Sequence, residues 1–205
     1  MVDNSIAYKS IIMRCDCVET EAFLETASEV KMVFYKAGME AVWAQVQKAA
    51  GEFADESYEQ VISYFMRRYG DNPVELERRC IFLKEKKTGT FIGTCMAWFA
   101  LKDKKIVPVL HWLAVADDFS GKGYARMLIT QVIKLFEEYA PDDPIYLHTQ
   151  PCSYRAIKLY NDFGFNIAKS DTYGTAVNEY EEAMLILQKC MEKEVFAKLQ
   201  RTSVE

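Results

Sequence analysis

Residues 109–136, VLHWLAVADDFSGKGYARMLITQVIKLF, decide the fold because they join an apolar strand, a glycine loop and an amphipathic helix. The strand portion, residues 106–115, is nearly continuous in Ile, Val, Leu and Trp, which is typical of a strand covered on both faces. After the loop 116–122, apolar residues recur at helical spacing and predict a helix with one buried face. They are Ala125, Leu128, Ile129, Val132, Ile133 and Phe136.

Gly121 and Gly123 lie where this helix begins. The backbone N–H groups of a first helical turn have no partner within the helix, and the helix dipole favours negative charge there. Such a position suits a phosphate, and glycine lets the phosphate approach because no Cβ intervenes. The stretch therefore predicts an anion site, with a purely structural turn as the alternative.

Two common phosphate-binding motifs do not fit this loop. A P-loop requires Ser or Thr after the lysine, whereas Lys122 is followed by Gly123. The third glycine of a dinucleotide-binding fingerprint is also missing. If the loop binds an anion, it belongs to another class of anion site.

The segment 120–125, Ser-Gly-Lys-Gly-Tyr-Ala, resembles the acyl-CoA loop of the GNAT superfamily of N-acetyltransferases, Arg/Gln-x-x-Gly-x-Gly/Ala. Ser120 departs from this pattern, since the family has Arg or Gln there. A second segment, 153–165, resembles the family's Asn-x-x-Ala-x-x-Leu-Tyr-x-x-x-Gly-Phe, with Ser153 in place of Asn. The resemblance is close over residues 106–165 and rests on element order elsewhere.

The resemblance implies an α/β (α+β) fold. We expect a GNAT-like mixed, mostly antiparallel, twisted sheet of six to seven strands, about four flanking helices, and splayed fourth and fifth strands. Residues 1–205 would form a single acetyltransferase domain, with an acyl-CoA core at about 106–165. The helical region at about 18–78 would lie on the acceptor side, or serve only as a packing layer, and residues 189–205 would form a C-terminal helix.

Sequence periodicity predicts the individual elements. Strands are expected over 8–17, 79–87, 90–100, 106–115, 145–149, 165–170 and 182–188. Helices are expected over 19–50, 58–69, 123–139 and 153–163. Ser57 and Gln60 form a capping box for the second of these helices, and Gly70 ends it.

Composition narrows the class of protein. The chain has 205 residues, of which 50% are hydrophobic, and this is typical of one globular domain. Its formal charge of -5 argues against nucleic acid or an anionic membrane as a partner. Six cysteines without a Cys-x-x-Cys pair, and no signal peptide or spanning segment, predict a reducing cytoplasmic location. Exposed edge strands near the C-terminus could pair in a homodimer.

The resemblance assigns cofactor-binding residues. The pyrophosphate of acetyl-CoA would bind the backbone of Gly121, Lys122, Gly123, Tyr124, Ala125 and Arg126. The pantetheine arm would bind the backbone of Leu113, Ala114 and Val115, which also read as a plain core strand. Ser153 would contact the same arm. No metal is expected.

Tyr160 occupies the motif position of the tyrosine that protonates the departing thiolate in many GNAT enzymes. A phenol suits this role because its pKa of about 10 keeps it protonated at neutral pH. The alternative is a buried aromatic that only packs.

The proton of the amine needs an acceptor, and the chain has 2 histidines. His111 resembles the strand histidine of arylalkylamine acetyltransferases and is our first candidate. His148 is the second, water is the third, and either histidine could be structural.

The resemblance implies an N-acetyltransferase that moves acetyl from acetyl-CoA directly to a primary amine of a small molecule, protein or peptide. A covalent step on Cys152 is less favoured because no His or Asn partner is identifiable. A non-catalytic acyl-CoA-binding module with the same fold is the alternative from another functional class.

Overall fold

The computed structural model describes residues 2–205, which contain seven β-strands and seven α-helices. The strands are β1 Ile11–Cys15, β2 Val30–Phe34, β3 Cys80–Glu85, β4 Phe91–Lys102, β5 Lys105–Val115, β6 Ile145–Thr149 and β7 Asn166–Ile167. The helices are α1 Glu40–Ala49, α2 Tyr58–Tyr69, α3 Pro73–Arg79, α4 Tyr124–Tyr139, α5 Tyr154–Asp162, α6 Tyr180–Cys190 and α7 Lys193–Thr202. Short 3₁₀ turns lie at Thr20–Ala22, Asp117–Phe119 and Pro151–Ser153.

The strands form one sheet in the order β2-β3-β4-β5-β6-β1-β7. The pairs β2–β3, β3–β4, β1–β6 and β1–β7 are antiparallel, and β5–β6 is parallel. This confirms the predicted mixed, mostly antiparallel sheet. Helices are more numerous than the four expected.

By its contacts the chain divides into two compact units, which are described separately. Unit one comprises Leu24–Trp98 and Trp112–Glu138, and unit two comprises Val2–Phe23, Phe99–His111 and Tyr139–Glu205. The single-domain prediction is not tested by this division and stays a prediction.

The core of unit one is aromatic, and α2 supplies much of it. Val61, Phe65 and Tyr69 form its buried face, spaced by four residues. The predicted capping box is confirmed, because the Ser57 hydroxyl accepts a hydrogen bond from the Gln60 backbone while the Gln60 side chain accepts one from the Ser57 backbone at 2.7 Å. This cap fixes where α2 begins.

Unit two is tied together by the carboxylate of Asp171. Arg14 Nη1 and the Tyr146 hydroxyl each donate to it at 3.1 Å, and Lys102 Nζ donates to its other oxygen. Burial alone would raise the pKa of Asp171, but these three hydrogen bonds lower it below its ordinary value. The carboxylate thus stays ionised and links the loop after β7 to three strands.

The predicted strand over 182–188 is wrong, because this segment lies in α6. Its buried residues Ala183, Met184 and Leu187 follow helical spacing, and Leu185 is exposed. The apolar run Met-Leu-Ile-Leu had favoured a strand. Short apolar runs do not distinguish the two by periodicity alone.

The predicted helix over 19–50 is also wrong in its first half. The segment contains a 3₁₀ turn, then β2, and only then α1. Val30 is buried and pairs with Glu85 of β3, so tertiary pairing overrides a composition that favours helix. A helix that was not predicted, α3, begins after α2 in the segment Asp71-Asn72-Pro73, with Pro73 at its first position, where proline is well accommodated.

Because β2 is an additional strand, the fourth and fifth strands of the expected fold correspond to β5 and β6. The register between these two strands pairs Val109 with Tyr146. Among the described residues of unit two, Leu110 and His111 of β5 have no registered partner in β6. This short register is consistent with the expected splay.

The C-terminal part of the chain and the cysteines were also predicted from the sequence. The strand over 165–170 shortens to β7, and α7 lies within the predicted C-terminal helix. The six cysteines are free thiols, and Cys17 is exposed whereas four others are buried. Among residues 2–205, no helix combines the length and apolarity needed to cross a bilayer.

Candidate functional site

The predicted anion loop precedes α4 in unit one. Gly121 and Gly123 have φ angles of +77° and +82°, a left-handed conformation that glycine adopts at little cost. The backbone N–H groups of Gly121, Lys122 and Gly123 donate to no residue that the structure describes. They adjoin the first turn of α4, whose own N–H groups have no intrahelical acceptors. The loop therefore presents a run of donors.

The surroundings of Gly121 and Lys122 determine which donors a ligand would meet at this loop. A Cβ built on Gly121 would meet nothing within 4 Å, so the approach to its amide is open. The Lys122 ammonium lies 3.5 Å from the Asp118 carbonyl and 5.0 Å from the centre of the Phe119 ring. Since that side chain is engaged with its own loop, the donors that face an anion come chiefly from the backbone.

The position of α4 is fixed by close contacts that the sequence did not reveal. The Thr130 hydroxyl accepts from the Leu24 backbone at 3.0 Å and donates to the Arg126 carbonyl at 2.8 Å. A Cβ on Gly93 would lie 2.9 Å from Leu128 and 3.1 Å from the Ala114 carbonyl. Glycine at 93 thus lets α4 pack directly on the sheet.

The end of β5 is distorted at Trp112. This residue has a φ of +51°, a conformation that costs a bulky residue about 1–3 kcal/mol. Its carbonyl accepts a hydrogen bond from Gln47 Nε2 at 3.1 Å, and Gln47 is fully buried. Beyond it, Ala114 packs against Val46 and Ala50. Helix α1 therefore holds the predicted acyl-arm segment, of which Ala114 and Val115 are buried and Leu113 is half-buried.

Aromatic rings surround the Trp112 indole. Phe53 stacks on it at 5.2 Å between centroids, and Trp43 and Tyr64 meet it edge-on at 5.4 and 5.6 Å. Phe53 also has a left-handed backbone, with φ +53°, and its carbonyl accepts from Lys48 Nζ at 2.8 Å. Two strained aromatic residues, Phe53 and Trp112, thus stack on each other beside the predicted acyl-arm segment.

A groove of about 480 Å³ opens beside this stack in unit one. It is lined by Phe53, Glu56, Glu59, Gln60, Ser63, Tyr64 and Arg67. These residues belong to the loop before α2 and to one side of α2. They fall in the region 18–78 that the resemblance places on the acceptor side.

In unit two, Tyr160 lies on α5 and is 7% exposed. Its ring meets Phe165 edge-on, with 6.1 Å between the ring centres. The Ser153 hydroxyl precedes α5 and accepts from Gln150 Nε2 at 3.2 Å. Cys152 is buried, and its carbonyl accepts from the Asp3 backbone at 2.8 Å.

The two histidines differ in their surroundings. His111 is half-buried and directly precedes Trp112 in β5. His148 Nε2 lies 2.8 Å from the Ser10 hydroxyl, and that hydroxyl donates its proton to the Val177 carbonyl. His148 Nε2 must therefore donate to Ser10, which leaves Nδ1 as its acceptor. Desolvation lowers the pKa of His148, although part of its surface is exposed, and keeps it neutral at pH 7.

Sequence reasoning missed Gln47, Phe53 and the bend at Trp112. A polar residue on the otherwise apolar face of Trp43, Ala44 and Val46 was the one available signal for Gln47. Nothing in the sequence signals that Phe53 or Trp112 is left-handed, because bulky residues rarely adopt this conformation. No group of three or more His, Cys, Asp or Glu side chains in residues 2–205 is placed to hold a metal ion.

A family model described as acetyltransferase (GNAT) family matches residues 38–165. A search among curated proteins found no significant match. Among solved structures, a GCN5-related N-acetyltransferase from Sphaerobacter thermophilus superposes with a TM-score of 0.57 at 16% identity, over 82% of this chain and 50% of that one.

Two further solved structures are also similar to this chain. A Pyrococcus horikoshii protein has a TM-score of 0.55 at 22% identity, over 71% of this chain and 94% of that one. A GNAT-family acetyltransferase from Colwellia psychrerythraea has a TM-score of 0.52 at 15% identity, over 81% and 55%. This chain thus spans about half the length of the Sphaerobacter and Colwellia chains. At these identities the likeness shows the fold.

Proposed function

Because the chain belongs to the GNAT acetyltransferase family, we propose that it transfers an acetyl group from acetyl-CoA to a primary amine of a small molecule or peptide. The observation that carries the proposal is the run of backbone donors at Gly121, Lys122 and Gly123 before α4. A diphosphate is the ligand that such a helix start fits best. Acetyl-CoA, when bound, supplies an activated acetyl thioester and leaves as the thiol.

The binding residues follow from the two matched motifs. In this proposal the backbone from Gly121 to Arg126 holds the pyrophosphate, and Leu113, Ala114 and Val115 hold the pantetheine arm. The buried hydrogen bond between Gln47 and Trp112 supports the second assignment, because it fixes the strand immediately before Leu113. Ser153 contacts the same arm.

The proton steps are assigned to Tyr160 and His111. His111 accepts the proton of the amine at a ring nitrogen, and the Tyr160 hydroxyl donates one to the sulfur. His111 is preferred to His148 because it lies in β5, two residues before the predicted acyl-arm segment that begins at Leu113. His148, which is neutral at pH 7, is the second candidate acceptor, and water is the third.

The test compares Tyr160→Phe with Tyr154→Phe, a tyrosine on the same helix outside the proposed site. We expect Tyr160→Phe to lower kcat by roughly 100-fold, the lower range for loss of a general acid, without weakening acetyl-CoA binding. CoA release over an amine panel and calorimetry with acetyl-CoA give the two measurements. Full activity in Tyr160→Phe would remove the assignment of the acid.

A binding module without turnover is the second candidate. It is favoured by the Ser120 and Ser153 departures from the family motifs. Tight acetyl-CoA binding to the wild-type chain, with no transfer to any acceptor in the panel, would establish this candidate over the enzyme.

A further inference from the structure

The groove beside α2 has the size of a small-molecule site. Its volume of about 480 Å³ falls within the range of roughly 300–1,000 Å³ typical of ligand pockets. Phe53 and Tyr64 are half-buried, so each leaves part of its ring surface to the groove. The other lining side chains are polar. The groove therefore combines an apolar wall with hydrogen-bonding and charged groups.

The aromatic wall leads to the predicted acyl-arm segment. Both Phe53 and Tyr64 contact Trp112, with ring centres 5.2 and 5.6 Å apart, and Trp112 directly precedes Leu113. Lys48 holds this wall in place through the Phe53 and Glu56 carbonyls. A molecule in the groove can thus extend along fixed rings toward β5.

The charge of the groove is uneven along its length. Glu56 and Glu59 are exposed carboxylates near the start of α2, whereas Arg67 lies eight residues beyond Glu59, about 12 Å along a helix. Hydrogen bonds from the backbone and from Ser57 lower the pKa of Glu59, so it is ionised at neutral pH. Carboxylates next to aromatic rings favour an organic cation. The ammonium and carboxylate of an α-amino acid are too close together for one to reach Glu56 and Glu59 while the other reaches Arg67.

The bound cation should differ from the reacting amine. A carboxylate beside an ammonium favours its charged form, and a charged amine has no lone pair for acyl transfer. Glu56 and Glu59 therefore suit a positive charge that takes no part in the reaction. The reacting amine would lie further along the aromatic wall, toward Trp112.

We propose that this groove is an acceptor-binding subsite for a second, non-reacting positive charge, and that the preferred acceptors are small diamines with an apolar spacer. This inference rests on the proposed function for its reacting end. The spacer lies on Phe53 and Tyr64, and the distal ammonium lies between these rings and Glu56 and Glu59.

The experiment compares 1,5-diaminopentane with pentylamine, which share chain length and differ in the second charge. We expect kcat/KM for the diamine to be at least about 10-fold higher after correction for its two equivalent amines, equivalent to 1.4 kcal/mol. In the double variant Glu56→Gln, Glu59→Gln this ratio should fall to about 1–2, with KM for acetyl-CoA unchanged. Glu77→Gln, an exposed glutamate on α3 outside the groove, should keep the wild-type ratio.

Tyr64→Leu tests the aromatic wall separately, because Leu keeps an apolar surface but removes the π face. We expect the diamine preference to fall by roughly 3-fold or more, in line with a cation–π contribution of at least 0.5–1 kcal/mol. A diamine preference that survives both the double variant and Tyr64→Leu would overturn the proposal. So would equal kcat/KM values for the two amines in the wild-type protein, which would leave acetyl transfer itself intact.

Direct binding separates this inference from the proposed function. Calorimetry or NMR titration with 1,5-diaminopentane requires no turnover. Binding that is lost in the double variant, in a protein that acetylates no amine, would support the groove and reject the enzyme. Tighter binding of a tripeptide with an apolar first residue than of the diamine would reject the small-diamine assignment.

Discussion

The predicted anion loop, residues 120–123 before α4, and the aromatic cluster around Trp112 are built in opposite ways. The loop presents backbone N–H groups, and the approach to Gly121 is open, whereas Gly123 lies close to Leu24. The cluster is made of side chains from separate segments, Trp43, Phe53, Tyr64 and Trp112, which hold two left-handed residues in place. A backbone site tolerates changes of side chain but not of glycine. A side-chain site should depend on each ring and on Gln47 behind it.

The largest effect is expected from Gly121→Ala, with Gly38→Ala as its control. Both glycines have positive φ and open space around an added Cβ, so each change should cost a similar 1–2 kcal/mol or so of stability. Only Gly121 belongs to the anion loop. We expect Gly121→Ala to weaken acetyl-CoA binding by roughly 10- to 100-fold, since hydrogen bonds to a charged group contribute about 1.5–3 kcal/mol.

Calorimetry with acetyl-CoA and thermal unfolding of both variants provide the measurements. Equal loss of affinity in Gly38→Ala would show that lowered stability, rather than the loop, governs binding. Unchanged affinity in Gly121→Ala would break the comparison, because the amides would then not face the ligand.

An intermediate effect is expected from Gln47→Met, which keeps the volume but removes the donor to the Trp112 carbonyl. Loss of a buried hydrogen bond should lower the free energy of unfolding by about 1–3 kcal/mol. If Gln47 positions β5, kcat/KM for acetyl-CoA should fall by roughly 10-fold as well, equivalent to about 1.4 kcal/mol. Steady-state kinetics and denaturant unfolding measure the two quantities.

Val61→Ala, a cavity variant on the buried face of α2, controls for lost stability alone. Gln47→Glu adds a pH test, because a protonated carboxyl can donate to the carbonyl whereas a carboxylate cannot. Its kcat/KM relative to wild type should recover as the pH falls. A parallel loss of activity in Val61→Ala at equal stability would assign Gln47 a structural role only.

The smallest effect is expected from the side chains of the anion loop. Lys122→Ala should change acetyl-CoA affinity by about 5-fold or less at moderate salt, because an exposed charge contributes roughly 0–1 kcal/mol. Ser120→Ala should behave similarly. A 10-fold loss in Lys122→Ala, measured by calorimetry, would show that the loop relies on side chains and would remove the contrast with the aromatic cluster.

The contrast also explains what the sequence could predict. The strand and helix around Gly121 were predictable because their periodicity and glycines are local signals. The first half of 19–50 was not, since β2 exists through its pairing with β3. The apolar run in α6 was ambiguous for the same reason: its burial depends on residues far away in the chain.

In the candidate site, too, local motifs were predictable and tertiary contacts were not. The positions of Tyr160 and the anion loop came from motifs, and their assigned roles stay predictions. The aromatic cluster could not be predicted, because its rings come from α1, the loop before α2, α2 itself and β5. Only the tertiary structure brings Phe53 onto Trp112. Neither residue has a local pattern that predicts its left-handed backbone.

The chain contains 3 tryptophans, and Trp43, Trp98 and Trp112 all belong to the aromatic core cluster of unit one. The intrinsic indole emission of the protein therefore arises entirely from this cluster, in which Trp43 and Trp112 contact Phe53 of the groove wall. Binding of a small amine, or a change in the packing of the surrounding rings, would therefore change the intensity or wavelength of the intrinsic tryptophan fluorescence, without any label. The tryptophans thus provide an intrinsic fluorescence probe of the aromatic cluster, which sequence patterns did not predict.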